Sequence, residues 1–247
     1  MNFDNVIDRR GTESLKWNRY SDDVLPMWVA DMDFEAPQPV IDALHTRIDH
    51  GIFGYGIEPE GLREAITAHL ADRHHWLIDT GDITFVSGVV TGFNHATYSL
   101  TNPGDRVMIQ TPAYPPFLAA PAQAGRVCVK NELLQAENGQ YEIDFDDFEE
   151  KAASGVKLFI LCNPQNPVGR VFSEQELTRM AEICLEYGVL ICSDEIHHDF
   201  VYPGHRHIPI ASISGEISDH TITYFAPSKQ FNVAGLSTSI CVTENPL

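Results

Sequence analysis

The sequence is short of positive charge. Lysine and arginine together number 16 against 35 aspartates and glutamates, a formal net charge of −19 over 247 residues. No basic stripe offsets that excess, which argues against a nucleic-acid or anionic-membrane surface. Long apolar runs are missing too: none reaches membrane-spanning length, and the N-terminus lacks the apolar core of a signal peptide. The expectation is a cytoplasmic protein with no membrane partner. Cysteine is scattered, and Cys128, Cys162, Cys184, Cys192 and Cys241 form no CxxC pair. Four of them lie inside apolar runs, which reads as buried free thiols rather than disulfides. Low-complexity segments and internal repeats are also lacking.

What is present is ordinary globular material, 43% hydrophobic and 21% charged, enough for one large α/β domain or two smaller ones. Among the five lysines, Lys16, Lys130, Lys151 and Lys157 lie in polar neighbourhoods, where a solvated ammonium is expected. Lys229 differs. It sits between apolar stretches in TITYFAPSKQFNVAGL at 221–236, where desolvation would lower its pKa and leave the amine nucleophilic. That is what a Schiff-base lysine requires. The plainer reading is a surface lysine on a turn.

Residues 1–38 are irregular and end in a stretch dense in large apolar groups and acids, WVADMDF at 28–34. They read as an N-terminal arm that packs against or covers an active site. Residues 39–247 read as the large domain. Residues 39–50 predict a helix stopped at Gly51, and FGYG at 53–56 is a glycine-flanked aromatic turn containing Tyr55. A second helix is expected from 59 to about 75, with Leu62, Ala65, Ile66, His69 and Leu70 at helical spacing.

From residue 82 the pattern becomes strand, turn, helix, repeated. ITFV at 83–86 is a short strand, and Ser87-Gly88-Val89-Val90 turns into a helix running to about Leu100. Such a junction leaves free N–H groups at a helix start, which suits a phosphate, although a glycine there can simply make a turn. Residues 106–110 form the next strand, closed by the turn that holds Tyr114. Strands at 126–129 and 157–162 follow, with an acidic helix near 144–151 between them, and then the proline-punctuated loop NPQNPVG at 163–169. Ser173 opens a helix as its N-cap, with Glu176 completing a capping box. The apolar run 189–192 leads into Ser193-Asp194-Glu195-Ile196-His197-His198.

This alternation predicts a three-layer α/β/α sandwich with a mostly parallel sheet, whose ligand crevice lies beyond the carboxyl ends of the strands. Tyr114, Asn166, Asp194, Lys229 and the Gly88 turn each follow an apolar strand, so they are expected to converge on that edge. A pyridine aldehyde phosphate needs just this set: an amine for its carbonyl, a carboxylate for its ring nitrogen, a donor for its phenolate, a ring to stack on and N–H groups for its phosphate.

With these residues assembled, the chain resembles the large domain of a fold-type I pyridoxal-phosphate enzyme of the aminotransferase class I/II superfamily. WVADMDF at 28–34, YPPF at 114–117, NPQNPVG at 163–169, DEIH at 194–197 and SKQFNVAGL at 228–236 resemble its cystathionine β-lyase (carbon–sulfur lyase) branch, in family order along essentially the whole chain. The resemblance implies pyridoxal 5'-phosphate as cofactor, a small amino-acid substrate and a homodimer. It makes Lys229 the cofactor-bearing lysine and acid/base, and Asp194 the partner of the pyridine nitrogen. Asn166 and His197 fall to the phenolate oxygen and Tyr114 to the ring face. Gly88, Val89, Val90 and Ser228 would hold the phosphate, and Tyr55 would reach the neighbouring subunit's phosphate. Where many relatives carry an arginine eight residues past the lysine, this chain has Ser237, which fits the lyase branch better than an ordinary aminotransferase, the alternative activity. Relatives also continue into a small C-terminal domain that carries the arginine for the substrate carboxylate. The sequence therefore reads as a C-terminally truncated member, expected to be inactive as it stands. A non-catalytic regulator acting through protein contacts is the alternative of another class. His197-His198-Asp199 with His205 and His207 offers zinc-ligand types, but no spacing matches a standard site, and no metal is expected.

Overall fold

The computed structural model describes residues 3–245; the end of the chain at Pro246 and Leu247, on which the truncation reading leans, lies outside the described residues. The chain divides into two compact units, Met1–Glu58 with Pro227–Ser237, and Pro59–Ala226 with Thr238–Leu247.

The first unit carries α1 (Leu15–Asn18) and α2 (Gln38–His50). Proline stands in the first turn of α2, where its missing N–H costs nothing, and Gly51 ends the helix at φ 72° with its N–H on the Ile48 carbonyl, as the sequence predicts. No residue of α2 is buried. An ion cluster holds the segments before it together. Arg9 pairs with Asp31 at 2.6 Å and with Asp33 at 2.7 Å, and Lys16 Nζ lies 2.7 Å from Asp33. Lys16 is thus a correction to the sequence reading: it is only 7% exposed, its ammonium donating to Asp33 and to the Asp31 carbonyl.

The second unit is the α/β body. In chain order it comprises α3 (Leu62–His74), β1 (Ile83–Val86), α4 (Val89–Leu100), β2 (Arg106–Thr111), α5 (Pro115–Gln123) and β3 (Val127–Glu132). Then follow the small hairpin β4 (Leu134–Gln135) and β5 (Tyr141–Glu142), α6 (Phe145–Ala153), β6 (Val156–Cys162), α7 (Glu174–Glu186), β7 (Leu190–Asp194), α8 (Gly215–Asp219), β8 (Thr221–Phe225) and β9 (Ser239–Val242). Seven strands make one sheet in the order β1-β9-β8-β7-β6-β2-β3. Every pairing from β8 through to β3 is parallel, and β9 runs antiparallel to both of its neighbours. β1 therefore points the same way as the parallel set. Sequence reading missed β9, which takes its place through pairing with β1 and β8 on either side.

The sheet is apolar on both faces because helices cover both. Along β6, Leu158, Ile160 and Cys162 join the core with Phe93 of α4 and Phe117 of α5. Phe159 and Leu161 point the other way, into the core with Phe148 of α6 and Leu177 of α7. That alternation is the three-layer sandwich. The capping box at Ser173 and Glu176 starts α7 as expected. All five cysteines are free, and all but Cys128 are buried. No helix among the described residues is long and apolar enough to cross a membrane.

Candidate active site

After β2 the chain moves outward to β3, and from β6 onward it moves the other way across the sheet. That reversal makes the gap between β2 and β6 a switch point, where loops diverge and leave a crevice at the carboxyl edge. The predicted residues of this unit lie along that edge. Asp194 is the last residue of β7 and is 5% exposed. It stands in register with Cys162 at the end of β6 on one side and with Tyr224 of β8 on the other. Its Oδ1 accepts the Ile196 N–H at 3.0 Å, so the carboxylate also caps the turn that follows. Burial raises the Cys162 and Cys192 thiols, and the Asp194 carboxylate raises both further. They stay protonated and serve as packing, not as nucleophiles.

The loop after β6 is held from several sides. Asn163 donates its N–H to the Asp194 carbonyl at 3.1 Å and accepts the Phe172 N–H on Oδ1. Gln165 donates to the Pro112 carbonyl at 3.0 Å, bridging the loops after β6 and β2 across the switch point. Asn166, half-buried, follows between two cis X-Pro bonds at Asn163–Pro164 and Asn166–Pro167. Tyr114 caps α5; its ring packs edge-on against Phe117 at 5.9 Å and remains 40% exposed. His197, half-buried, lies in the turn after β7, its ring 6.2 Å from Phe200.

Gly88 leaves β1 at φ 97°, a conformation glycine adopts without strain, and becomes the N-cap of α4 with no side chain capping it. Nothing lies within 4 Å of where a Cβ would be. The first N–H groups of α4, including those of Val89 and Val90, thus have no side-chain cap. The helix is set on the sheet by a close approach: Tyr224 donates its hydroxyl to the Gly92 carbonyl at 3.0 Å, and a Cβ on Gly92 would stand 2.7 Å from Tyr224 Cδ1.

The other predicted residues belong to the first unit. Lys229 and Ser228 lie on the loop that the chain enters on leaving β8; Ser228 is buried and Lys229 half-buried. Within that loop the Val233 N–H reaches the Ser228 carbonyl at 3.0 Å and the Phe231 N–H reaches Pro227 at 3.1 Å. Asn232 fastens the loop to the WVADMDF segment. It donates to the Met32 and Phe34 carbonyls at 3.0 and 2.7 Å and accepts the Met32 N–H at 3.0 Å, from a left-handed backbone (φ 54°) that asparagine tolerates. Tyr55 is fully exposed.

Two groups here were not foreseen. Glu195, fully buried, accepts from Ser193 Oγ at 2.8 Å and from the Ile210 N–H at 3.2 Å, and its Oε2 lies 2.7 Å from His207 Nε2. His74 and His198 also meet in the interior, Nε2 to Nδ1 at 2.9 Å. Burial first, and then the neighbouring histidines, pushes them down to about 3 and about 2, so both are neutral. His198 and His207 are two of the four histidines, with His197 and His205, that the sequence offers as zinc-ligand types. No local pattern points to His74, because its pairing with His198 spans 124 residues.

Comparison with known proteins fits this architecture. The chain is 45% identical to cystathionine beta-lyase PatB of Bacillus subtilis over 100% of its own length and 65% of the relative's. The solved structure of cystalysin from Treponema denticola, which contains pyridoxal 5'-phosphate, superposes with a TM-score of 0.94 at 37% identity, over 99% of this chain and 64% of that one. The PLP-bound C-S lyase from Staphylococcus hominis gives 0.93 at 36%, over 100% and 64%. The chain thus spans slightly less than two thirds of the length of these relatives. The profile of the family "Aminotransferase class I and II" matches residues 15–245, and the chain belongs to that family.

Proposed function

We propose that the chain serves a pyridoxal-phosphate-dependent carbon–sulfur β-lyase that cleaves cystathionine or related cysteine S-conjugates to a thiol, pyruvate and ammonia. The observation that carries the substrate class is its 45% identity, along its full length, to a named cystathionine beta-lyase. The donor set supports the cofactor: an uncapped helix start at an unhindered glycine, a buried carboxylate, a half-buried amide and a half-open aromatic ring share one sheet edge. When bound, pyridoxal phosphate supplies an aldehyde for the substrate amine and a cationic ring that takes up the charge left by the departing Cα proton.

The chain's own residues do the rest. Asp194 keeps the ring nitrogen protonated, because a carboxylate at hydrogen-bond distance favours the cation. Asn166 and His197 donate toward the phenolate oxygen and hold the ring in one orientation. Tyr114 offers its face for stacking. The N–H groups of Gly88, Val89 and Val90, with the Ser228 hydroxyl, receive the phosphate at the positive end of α4. Lys229 Nζ would hold the cofactor's aldehyde and would accept the substrate's Cα proton. Loss of thiolate from Cβ then follows, with water consumed in freeing pyruvate and ammonia.

Residues 1–38 act as an N-terminal arm and 39–247 as the cofactor-binding body. The working form is a cytoplasmic homodimer in which Tyr55 reaches the partner's phosphate. Large exposed apolar residues following α2 (Ile52, Phe53, Tyr55 and Ile57) support a partnered surface. A second reading, an aminotransferase, rests on the family as a whole. The two part on acceptor dependence. Carried in a protein of its relatives' full length and incubated with cystathionine and pyridoxal phosphate but no keto acid, the chain is expected to release pyruvate, ammonia and thiol in equal amounts. Turnover that appears only with an added keto acid would assign the aminotransferase instead.

A further inference from the structure

Outside the candidate active site, His69 and His74 of α3 meet His198 and Asp199 of the turn after β7. One ligand atom from each falls within 4.8 Å of all the others. The pairwise distances are 2.9 Å for His74 Nε2 to His198 Nδ1, 3.7 Å for His198 Nδ1 to Asp199 Oδ2, and 3.8 Å for His69 Nε2 to Asp199 Oδ2. Four donors around a tetrahedral zinc, each about 2.0–2.1 Å from the ion, stand about 3.3 Å apart. The cluster therefore brackets that edge length, and a contraction of at most about 1.5 Å on its widest side would close it.

The chemistry matches the geometry. Three imidazoles and one carboxylate are a zinc-type donor set, whereas Mg2+ and Ca2+ prefer oxygen. His74 and His198 are 8% and 4% exposed, so neither is a solvated surface histidine. The His69 side chain is 40% exposed and gives an ion a way in from solvent. The surroundings are rich in further polar groups. His207 packs edge-on against His74, ring centres 5.3 Å apart, and its buried Nδ1 has no hydrogen-bond partner among the described residues. Arg73 Nη2 sits 3.5 Å from Asp199 Oδ1 and would remain as the outer partner of a ligating carboxylate.

We propose that His69, His74, His198 and Asp199 form a binding site for one borderline divalent transition ion, zinc in the first place. Such an ion would tie the end of α3 to the turn after β7, bracing the segment that begins at Asp194. The site is structural: all four ligand positions come from the protein, and the donor set leaves no open place for substrate.

The test is titration of the purified, metal-free protein with Co2+ as an optical probe and with Zn2+ as its competitor. The expected result is one Co2+ per chain with the visible bands of a tetrahedral ion, displaced by one equivalent of Zn2+, and a melting temperature raised by Zn2+. His69→Ala and Asp199→Asn change the two more exposed ligands and are expected to fold. Each should weaken binding at least tenfold and abolish the zinc-dependent rise in melting temperature. The proposal is overturned if the wild type takes up no tetrahedral Co2+. It is equally overturned if both variants bind as tightly as the wild type, which would place the ion on other histidines. Neither outcome touches the lyase reading, because the readout is metal binding and the variants lie outside the proposed cofactor contacts.

Discussion

Each of the two units of the chain is stabilised internally by its own physics. In the α/β body, helices on both faces bury a double apolar core, and Asp194 stands at the end of a strand whose other residues are almost wholly enclosed. In the unit that carries Lys229, no residue of α2 is buried; one asparagine side chain fastens the loop to residues 32–34, and a cluster of charges ties Arg9 and Lys16 to Asp31 and Asp33. Apolar burial carries no titrating group and is not screened by salt, whereas charged contacts near the surface are both titrated and screened. The body should therefore supply a fixed platform, and the lysine unit should be the part that acid or a single polar substitution loosens.

The largest effect is expected at the platform's chemistry. Asp194→Asn keeps an oxygen for the Ile196 N–H, so the fold should survive. A neutral amide cannot hold a ring nitrogen protonated, and the loss of a shift of one to three pKa units corresponds to about 1.4–4 kcal/mol, or roughly a 10- to 1000-fold drop in turnover. Steady-state rates with an unchanged circular dichroism spectrum would check it; near-normal turnover would make the carboxylate only a turn cap. Next comes the platform's packing. Gly92→Ala forces a methyl against the Tyr224 ring and should cost about 1–3 kcal/mol, lowering the melting temperature by roughly 2–4 °C for each kcal/mol. An unshifted melting point would mean that α4 is not seated on Tyr224.

Asn232→Ala strikes the other unit. It removes the bonds to Met32 and Phe34 and places alanine in a left-handed conformation, for a local cost of about 2 kcal/mol. Amide exchange across 227–237 should quicken about 30-fold while the body's melting temperature stays put. Equal slowing or quickening everywhere would erase the contrast between the units. The smallest effect is that of acid on Asp33. Burial alone would raise its pKa, but hydrogen bonds from Lys16, Trp17 and Arg9 bring it down from 3.8 to about 2. Because the folded pKa is depressed, the cluster's contribution is complete above about pH 4 and is lost as pH falls toward 2. The carboxylate is partly exposed, so the contribution is about 1 kcal/mol at most. The Trp17 indole NMR signal, whose N–H donates to Asp33, should titrate with a midpoint near 2; a midpoint at 3.8 would dissolve the cluster.

Much of the platform was legible because its signals are local. The strand 83–86, the glycine opening α4, the capping box of α7 and the apolar run into Asp194 each advertise themselves within a few residues, and the structure holds them there. What escaped was set by contacts distant in sequence. Lys16 looked solvated because its partners Asp31 and Asp33 are 15 and 17 residues away. His74 and His198 carry no spacing that could announce them, since two elements bring them together. β9 gains its place only by pairing with β1 and β8 on either side. The placement of Tyr114, Asn166 and Asp194 at one sheet edge was legible from their position after strands, because every parallel strand delivers its carboxyl end to one edge.

The central claim is that Lys229, on the loosely held loop, is the residue that carries the cofactor. The most direct measurement is to incubate the protein with pyridoxal phosphate, reduce it with borohydride and map the modified peptide. One pyridoxyl group per chain is expected, on Lys229. Label on Lys16, Lys130, Lys151 or Lys157 instead would contradict it.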